Sequence, residues 1–197
     1  MSKELILASE SQARAHLLQA AGYRFRQMPS GIAEPVPLRN VALSAHLIRL
    51  ARWKAAAVAA RHPDAYVLGA DTALVMARRL IGKPRTLGEA ADILTALAGQ
   101  THEIKTAVCV IAPAGRAGLN RGLLTGLDTA HVTLRAWSIG RIRRHVAATQ
   151  PLAWAGAYAV QEKGSAVIVS RIEGDPSTVI GLPIDLVDDL LQRLGYS

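Results

Sequence analysis

With a single cysteine, one phenylalanine and three tryptophans, the 197-residue chain has little material for several kinds of chemistry. One cysteine forms neither an internal disulfide nor a cysteine-rich metal site, and the place of Cys109 in the apolar run Ala107-Val-Cys-Val-Ile111 reads as core. Aromatic residues make up 4% of the chain and no five Lys or Arg residues follow one another, so stacking on a nucleic-acid strand has poor support. The net charge of +8 nevertheless favours anionic partners, and a phosphate pocket is expected in preference to a nucleic-acid groove. No apolar run approaches the ~18–20 residues of a membrane span, and Met1-Ser-Lys-Glu4 leads into a strand rather than a signal peptide. The expectation is a soluble cytoplasmic protein with no membrane partner. His102, His131 and His145 lack the spacing of zinc ligands. There are no internal repeats or low-complexity linkers, so residues 1–197 are expected to form one domain, at most one with two lobes.

What the chain does have is an organising stretch, Val67-Leu-Gly-Ala-Asp-Thr72, followed by Leu80-Ile-Gly-Lys-Pro84. The first reads as a buried strand that releases a carboxylate, Asp71, at its C-terminal end, where open α/β sheets place their ligands. Ala73 to Met76 continues the strand pattern, Arg78-Arg79 makes a turn, and Leu80-Ile81 runs back to a bend at Gly82 and Pro84 that presents Lys83 toward Asp71. An acid and a fixed cation around one cavity suit attack of water on a phosphate: a base orients the water, and a positive charge sits where negative charge develops. A lone Asp-Thr after a strand is more often a turn or a helix cap, which is the competing reading of Asp71.

Around this stretch, Leu5 to Ala8 reads as a strand feeding a helix that runs to about Ala21, with Ser9 or Ser11 as its N-cap and Arg14 near its first turn. Such a strand-to-helix junction is a ready anion site. Arg24 to Met28 alternates as a strand, and Glu34 lies in the Pro- and Gly-rich loop after it. A second helix from about Leu43 to Ala60 carries Leu43, Leu47, Leu50 and Ala51 on one face, with Lys54 extending that stripe at its edge, where lysines usually reach out to solvent. Thr86-Leu-Gly-Glu89 opens a third helix as a capping box. His102 to Ala112 and Leu123 to Leu134 are expected to pair as an antiparallel arm. Ser138 to Ala148 is a basic helix, read as solvated or subunit-facing, which leaves a homodimer open. Pro183 opens a final helix that ends at Gly195. The resulting fold class is mixed α/β, a twisted central sheet with flanking helices, a parallel core and an antiparallel arm.

Taken in order, Leu7-Ala-Ser9 with Ser11 and Arg14, Glu34 in its loop, Arg49-Leu-Ala-Arg-Trp-Lys-Ala55, Gly69-Ala-Asp-Thr72 with Gly82-Lys-Pro84, and Ala155-Gly-Ala-Tyr158 through Gln161 with Glu173-Gly-Asp175 and Gly181-Leu-Pro183 resemble the Maf family of nucleotide pyrophosphatases. The resemblance spans nearly the whole chain. It implies a cytoplasmic enzyme that hydrolyses a nucleoside triphosphate to the monophosphate and pyrophosphate in a cleft between two lobes, with a fold similar to that of inosine triphosphate pyrophosphatases. Carried over, Asp71 would be the general base and Glu34 would help hold the divalent cation, Mg²⁺ or Mn²⁺, or the water. Ser9, Arg14, Lys54 and Lys83 would surround the triphosphate. No Ser/His/Asp arrangement suggests a covalent intermediate.

Two stretches depart from the family pattern. Gln12-Ala13-Arg14 stands where Pro-Arg-Arg or Pro-Trp-Arg is usual, and Trp53 replaces the usual Glu before the helix lysine. Thr72 and Gln161 resemble the members that act on dTTP and UTP, so the resemblance points to pyrimidine nucleotides, with Ala13 leaving the base pocket under-determined. Ala13 and Trp53 also keep open the alternative of a non-enzymatic regulator of septum formation or cell division that binds a nucleotide or a partner without turnover.

Overall fold

The computed structural model describes residues 4–32, 42–77, 79–114 and 122–196. Among the described residues seven strands form one sheet, with hydrogen-bonded neighbours in the order β2-β1-β3-β5-β6-β7 and β4 paired to β3. The strands are β1 (Leu5–Leu7), β2 (Arg26–Gln27), β3 (Tyr66–Met76), β4 (Arg79–Ile81), β5 (Thr101–Ile111), β6 (Leu123–Leu134) and β7 (Val169–Glu173). Strand β1 is parallel to both β2 and β3, whereas β3–β4 and β6–β7 are antiparallel. This is the mixed α/β architecture expected, with a parallel portion and antiparallel additions.

The chain divides into two compact units. The first comprises residues 1–72, 106–128 and 181–197. Its helices are α1 (Gln12–Ala20), α2 (Leu43–Ala59) and the last helix, α7 (Ile184–Arg193). Helix α1 starts at Ser11, whose hydroxyl accepts the Arg14 N–H, and ends before Gly22, whose positive φ of 85° suits a residue without a side chain. Ser11, not Ser9, is therefore the cap. Leu5, Leu7, Leu18, Leu68, Val108, Val110, Val187, Leu190 and Leu191 form the core of this unit. Cys109 is buried beside them, and burial pushes its thiol up to about 12, as expected for a core residue.

A close approach between α2 and β3 is dictated by Gly69. A Cβ at this position would lie 2.4 Å from the carbonyl oxygen of Ala51 and 2.8 Å from the backbone nitrogen of Ala55. The two alanines, four apart on α2, form a smooth buried stripe that rests directly on the glycine backbone.

The second unit comprises residues 73–105 and 129–180. It holds α3 (Leu87–Leu97), α4 (Ile139–Thr149), a 3₁₀ turn at Ala155–Ala157, and the short helices α5 (Lys163–Ala166) and α6 (Pro176–Ile180). Thr86 caps α3 by accepting the Glu89 N–H at 3.1 Å, and the Glu89 carboxylate in turn accepts from the Arg85 N–H at 2.9 Å. Leu74, Leu94, Leu97, Val132, Leu134, Ile142 and Ile168 are among its core residues. Within this unit β4 returns along β3 in the register Leu74↔Ile81 to Met76↔Arg79, and Ala77 occupies the turn with a φ of 47°.

Candidate active site

Strand β3 does not end at Asp71. It runs unbroken from Tyr66 to Met76, so the carboxylate projects from mid-strand and not from the strand terminus that the sequence pattern suggested. The parallel pairing with β1 reaches only to Leu68, and β1 hands the chain to α1 soon after, so Asp71 lies three residues past the last β1 partner. The parallel ladder with β1 stops short of Asp71 even though its own strand continues.

Gly69 and Asp71 are two apart and share a face of β3. Because Gly69 admits α2 so closely, Lys54, one turn on from Ala51, reaches that face. Its Nζ donates to Asp71 Oδ1 at 2.6 Å. Both side chains are 12% exposed, so the lysine does not reach out to solvent but is committed to a largely enclosed ion pair.

A second set of contacts gathers around Arg14. Its Nε donates to the Gly181 carbonyl at 2.8 Å, one terminal nitrogen to Ser9 Oγ at 3.3 Å and the other to Thr72 Oγ1 at 3.0 Å. The guanidinium thus uses its fork to tie together the end of β1, the residue after Asp71 and the segment before α7. Ser9 is buried, and its oxygen also accepts the Ser11 N–H at 3.2 Å. With two donors on its oxygen, what Ser9 retains is its own proton, a hydrogen-bond donor suited to an anionic oxygen. Thr72 Oγ1 also lies 3.0 Å from Thr106 Oγ1. Gly181, at φ 120°, has a backbone that other residues rarely adopt, and a Cβ there would come within 3.1 Å of Thr72 Oγ1 and 3.4 Å of Arg14 Nε.

The first unit therefore holds two clusters from the residues singled out in the sequence, Lys54 with Asp71 and Ser9 with Arg14 and Thr72, joined through the neighbouring residues Asp71 and Thr72 of β3. Ala13 is half-buried in α1, on the residue just before Arg14. Glu34 lies outside the described residues. Lys83 and Gln161 belong to the second unit and are both exposed there. Their segments meet through the backbone: the Gly156 N–H donates to the Gly82 carbonyl at 3.1 Å. Gly156 is left-handed at φ 73°, and a Cβ on it would fall 2.3 Å from Leu74 Cδ1. Tyr158 and Ser165 pin the chain that leads to Gln161. The tyrosine hydroxyl is 2.6 Å from His102 Nε2, and the Ala159 N–H donates to Ser165 Oγ at 2.8 Å. Burial lowers His102 to about 4 and raises the Tyr158 hydroxyl, so both are neutral near pH 7.

Sequence reasoning missed the roles of Thr106 and of the Gly181 carbonyl. Thr106 left a faint signal, a hydroxyl on the threshold of the apolar run 107–112. The carbonyl left none, since its partner is 167 residues away. Among the described residues no three His, Cys, Asp or Glu side chains gather as a metal cluster, and no helix is long and apolar enough to cross a membrane.

Comparison with known proteins adds a family. A family model described as "Maf-like protein" matches residues 4–194. The chain is 44% identical over 196 residues to a dTTP/UTP pyrophosphatase of Moorella thermoacetica, covering 99% of this chain and 96% of that one. It is 41% identical over 191 residues to a dTTP/UTP pyrophosphatase of Myxococcus xanthus, covering 97% and 92% respectively. Among solved structures, the Ham1 protein of Staphylococcus aureus aligns over 97% of this chain and 99% of its own at a TM-score of 0.50 and 13% identity, which is a likeness of fold.

Proposed function

We propose, from the premise that the chain belongs to the Maf-like protein family, that it is a nucleoside triphosphate pyrophosphatase acting on dTTP and UTP or modified pyrimidine nucleotides, with residues 1–197 working as one domain in the cytoplasm. The observation that carries this reading is the Lys54–Asp71 pair at 2.6 Å, held on the strand whose next residue joins the Ser9–Arg14 cluster. The names of the relatives, dTTP/UTP pyrophosphatase, support the substrate class.

In this reading Asp71 takes the proton of a water whose oxygen attacks the α-phosphorus. The bond from the α-phosphorus to the bridging oxygen breaks, the electron pair stays on that oxygen, and pyrophosphate leaves. Lys54 orients Asp71 while it waits, and with Lys83 it offsets the charge that grows on the bridging oxygen. Ser9 donates its remaining proton to a phosphate oxygen. Arg14 contributes its positive field and fixes Ser9 and Thr72, to both of which it donates. Thr72 and Gln161 are the groups assigned to the polar edge of the base.

The donor set fits a hard divalent cation, Mg²⁺ or Mn²⁺. Lys54 engages Asp71 through Oδ1, which leaves Oδ2 for a metal, and magnesium commonly takes one or two carboxylates together with substrate phosphates. Asp71 and Glu34 would hold it. When bound, the cation would offset charge on the phosphate oxygens.

The test is to incubate the protein with a panel of nucleoside triphosphates and Mg²⁺ while assaying pyrophosphate separately from orthophosphate. Pyrophosphate released in step with the monophosphate is the expected result. Orthophosphate alone would contradict the reaction, and tight nucleotide binding with no release of either would favour the regulatory reading.

A further inference from the structure

Thr106 is fully buried on β5 and can touch no ligand itself, yet its hydroxyl sits 3.0 Å from that of Thr72, which is only partly buried. A threonine hydroxyl has one proton and two lone pairs. Arg14 occupies one lone pair of Thr72, because a guanidinium can only donate. The Thr72–Thr106 bond then decides what is left. If Thr106 donates, both lone pairs of Thr72 are taken and its proton remains for a ligand. If Thr72 donates, it has one lone pair to offer and no proton. These two states recognise opposite partners.

Resting on the nucleotide reading above, we infer that Thr106 is a positioning residue that fixes the hydrogen-bonding polarity of Thr72 and so sets discrimination between uracil-type and cytosine-type bases. The polar edge of a uracil or thymine ring carries a carbonyl acceptor beside an N–H donor. Cytosine presents the reverse, an amino donor beside a ring-nitrogen acceptor. With Thr106 as the donor of their shared bond, Thr72 keeps its proton and, at the place on the edge where uracil has its carbonyl and cytosine its amino group, it favours uracil; a Thr72 hydroxyl free to rotate serves both. Gly181 supports the lock from the other side: it places its carbonyl on Arg14 and leaves no Cβ to push against Thr72.

Thr106→Val keeps the shape of the side chain and removes the hydroxyl, and Thr106→Ser restores it. The measurement is kcat and KM for UTP and CTP in each form, normalised to folded protein. The expected result is that Thr106→Val lowers the UTP-to-CTP ratio of kcat/KM about fivefold, the order of one neutral hydrogen bond, and that Thr106→Ser returns it to the wild-type value. A purely structural Thr106 would instead lower Tm and depress both nucleotides equally. Should the valine variant not fold, Thr106→Cys, with similar volume and a much weaker hydrogen bond, carries the same readout. A wild type that turns over UTP, joined to a valine or cysteine variant with an unchanged ratio, overturns this inference alone. A wild type that releases pyrophosphate from no nucleotide overturns the functional reading, and this inference with it.

Discussion

Lys54 and Asp71, on different elements and 17 residues apart, meet at 2.6 Å with both side chains mostly shielded from solvent. A carboxylate paired in this way holds one orientation, which a base for water needs. In Asp71→Asn the volume and part of the hydrogen bonding persist while the base is lost. Turnover is expected to fall about 10²–10⁴-fold with the circular dichroism spectrum unchanged. Near-normal kcat in a folded Asp71→Asn protein would remove Asp71 from the reaction.

The two lysines should behave differently when truncated. Lys54→Ala leaves Asp71 enclosed without its cation, so both turnover and Tm should drop, turnover by roughly 10²-fold. Lys83 is exposed, and Lys83→Ala should lower turnover by a similar order, roughly 10²-fold, with no change in Tm. Thermal melts beside steady-state rates separate the two; a Lys83→Ala enzyme with wild-type kcat would take Lys83 out of the site.

His102 makes stability depend on acid. Its folded value of about 4 lies below the ordinary 6.5, so the unfolded chain takes up a proton first as pH falls. The contribution is fully present above about 6.5 and is lost progressively as pH drops through about 4, amounting to about 2–3 kcal/mol. Urea midpoints measured from pH 7 to pH 4 should therefore decline, and His102→Gln should flatten that decline. An equally steep acid limb in the variant would assign it to other groups.

Gly156→Ala combines a left-handed φ of 73° with a Cβ 2.3 Å from Leu74 Cδ1. Strain and overlap together should destabilise the protein by about 2–4 kcal/mol, read as a lower denaturation midpoint. A midpoint within error of wild type would mean that the Ala155–Ala157 turn has an alternative packing.

Ala13→Arg would place a guanidinium where the family pattern has Arg or Trp. The preference for dTTP and UTP over purine triphosphates should sharpen by roughly ten- to two-hundred-fold, the scale of a gained bidentate or stacking partner. The comparison is kcat/KM for dTTP, UTP, CTP, GTP and 7-methyl-GTP on both forms. A wild type that prefers 7-methyl-GTP, or an unmoved ratio in the variant, would sever Thr72 and Gln161 from base selection.

The strand patterns made β5 and β6 legible within a residue or so, and the capping residues placed the starts of α1 and α3, because both signals are local. Asp71 and Lys54 could be picked out by pattern, but their direct pairing could not, since it depends on how near α2 comes to β3. The mid-strand position of Asp71 was hidden because Gly69-Ala-Asp-Thr72 reads as a strand end, while the sheet continues through it. The Arg14 contacts join residues 58 and 167 positions apart, and no local periodicity carries that information.

Gly69 carries no charge, yet it governs the distance between two charged groups. A single added carbon, as in Gly69→Ala, would have to displace the backbone of α2 at Ala51 and Ala55, and Lys54 rides on that same turn. The attraction between the two charges weakens steeply once water can enter between them. Charge identity and charge spacing are thus encoded at separate positions in this chain, so one can change while the other stays intact, and a variant with every polar residue in place can still lack a working base.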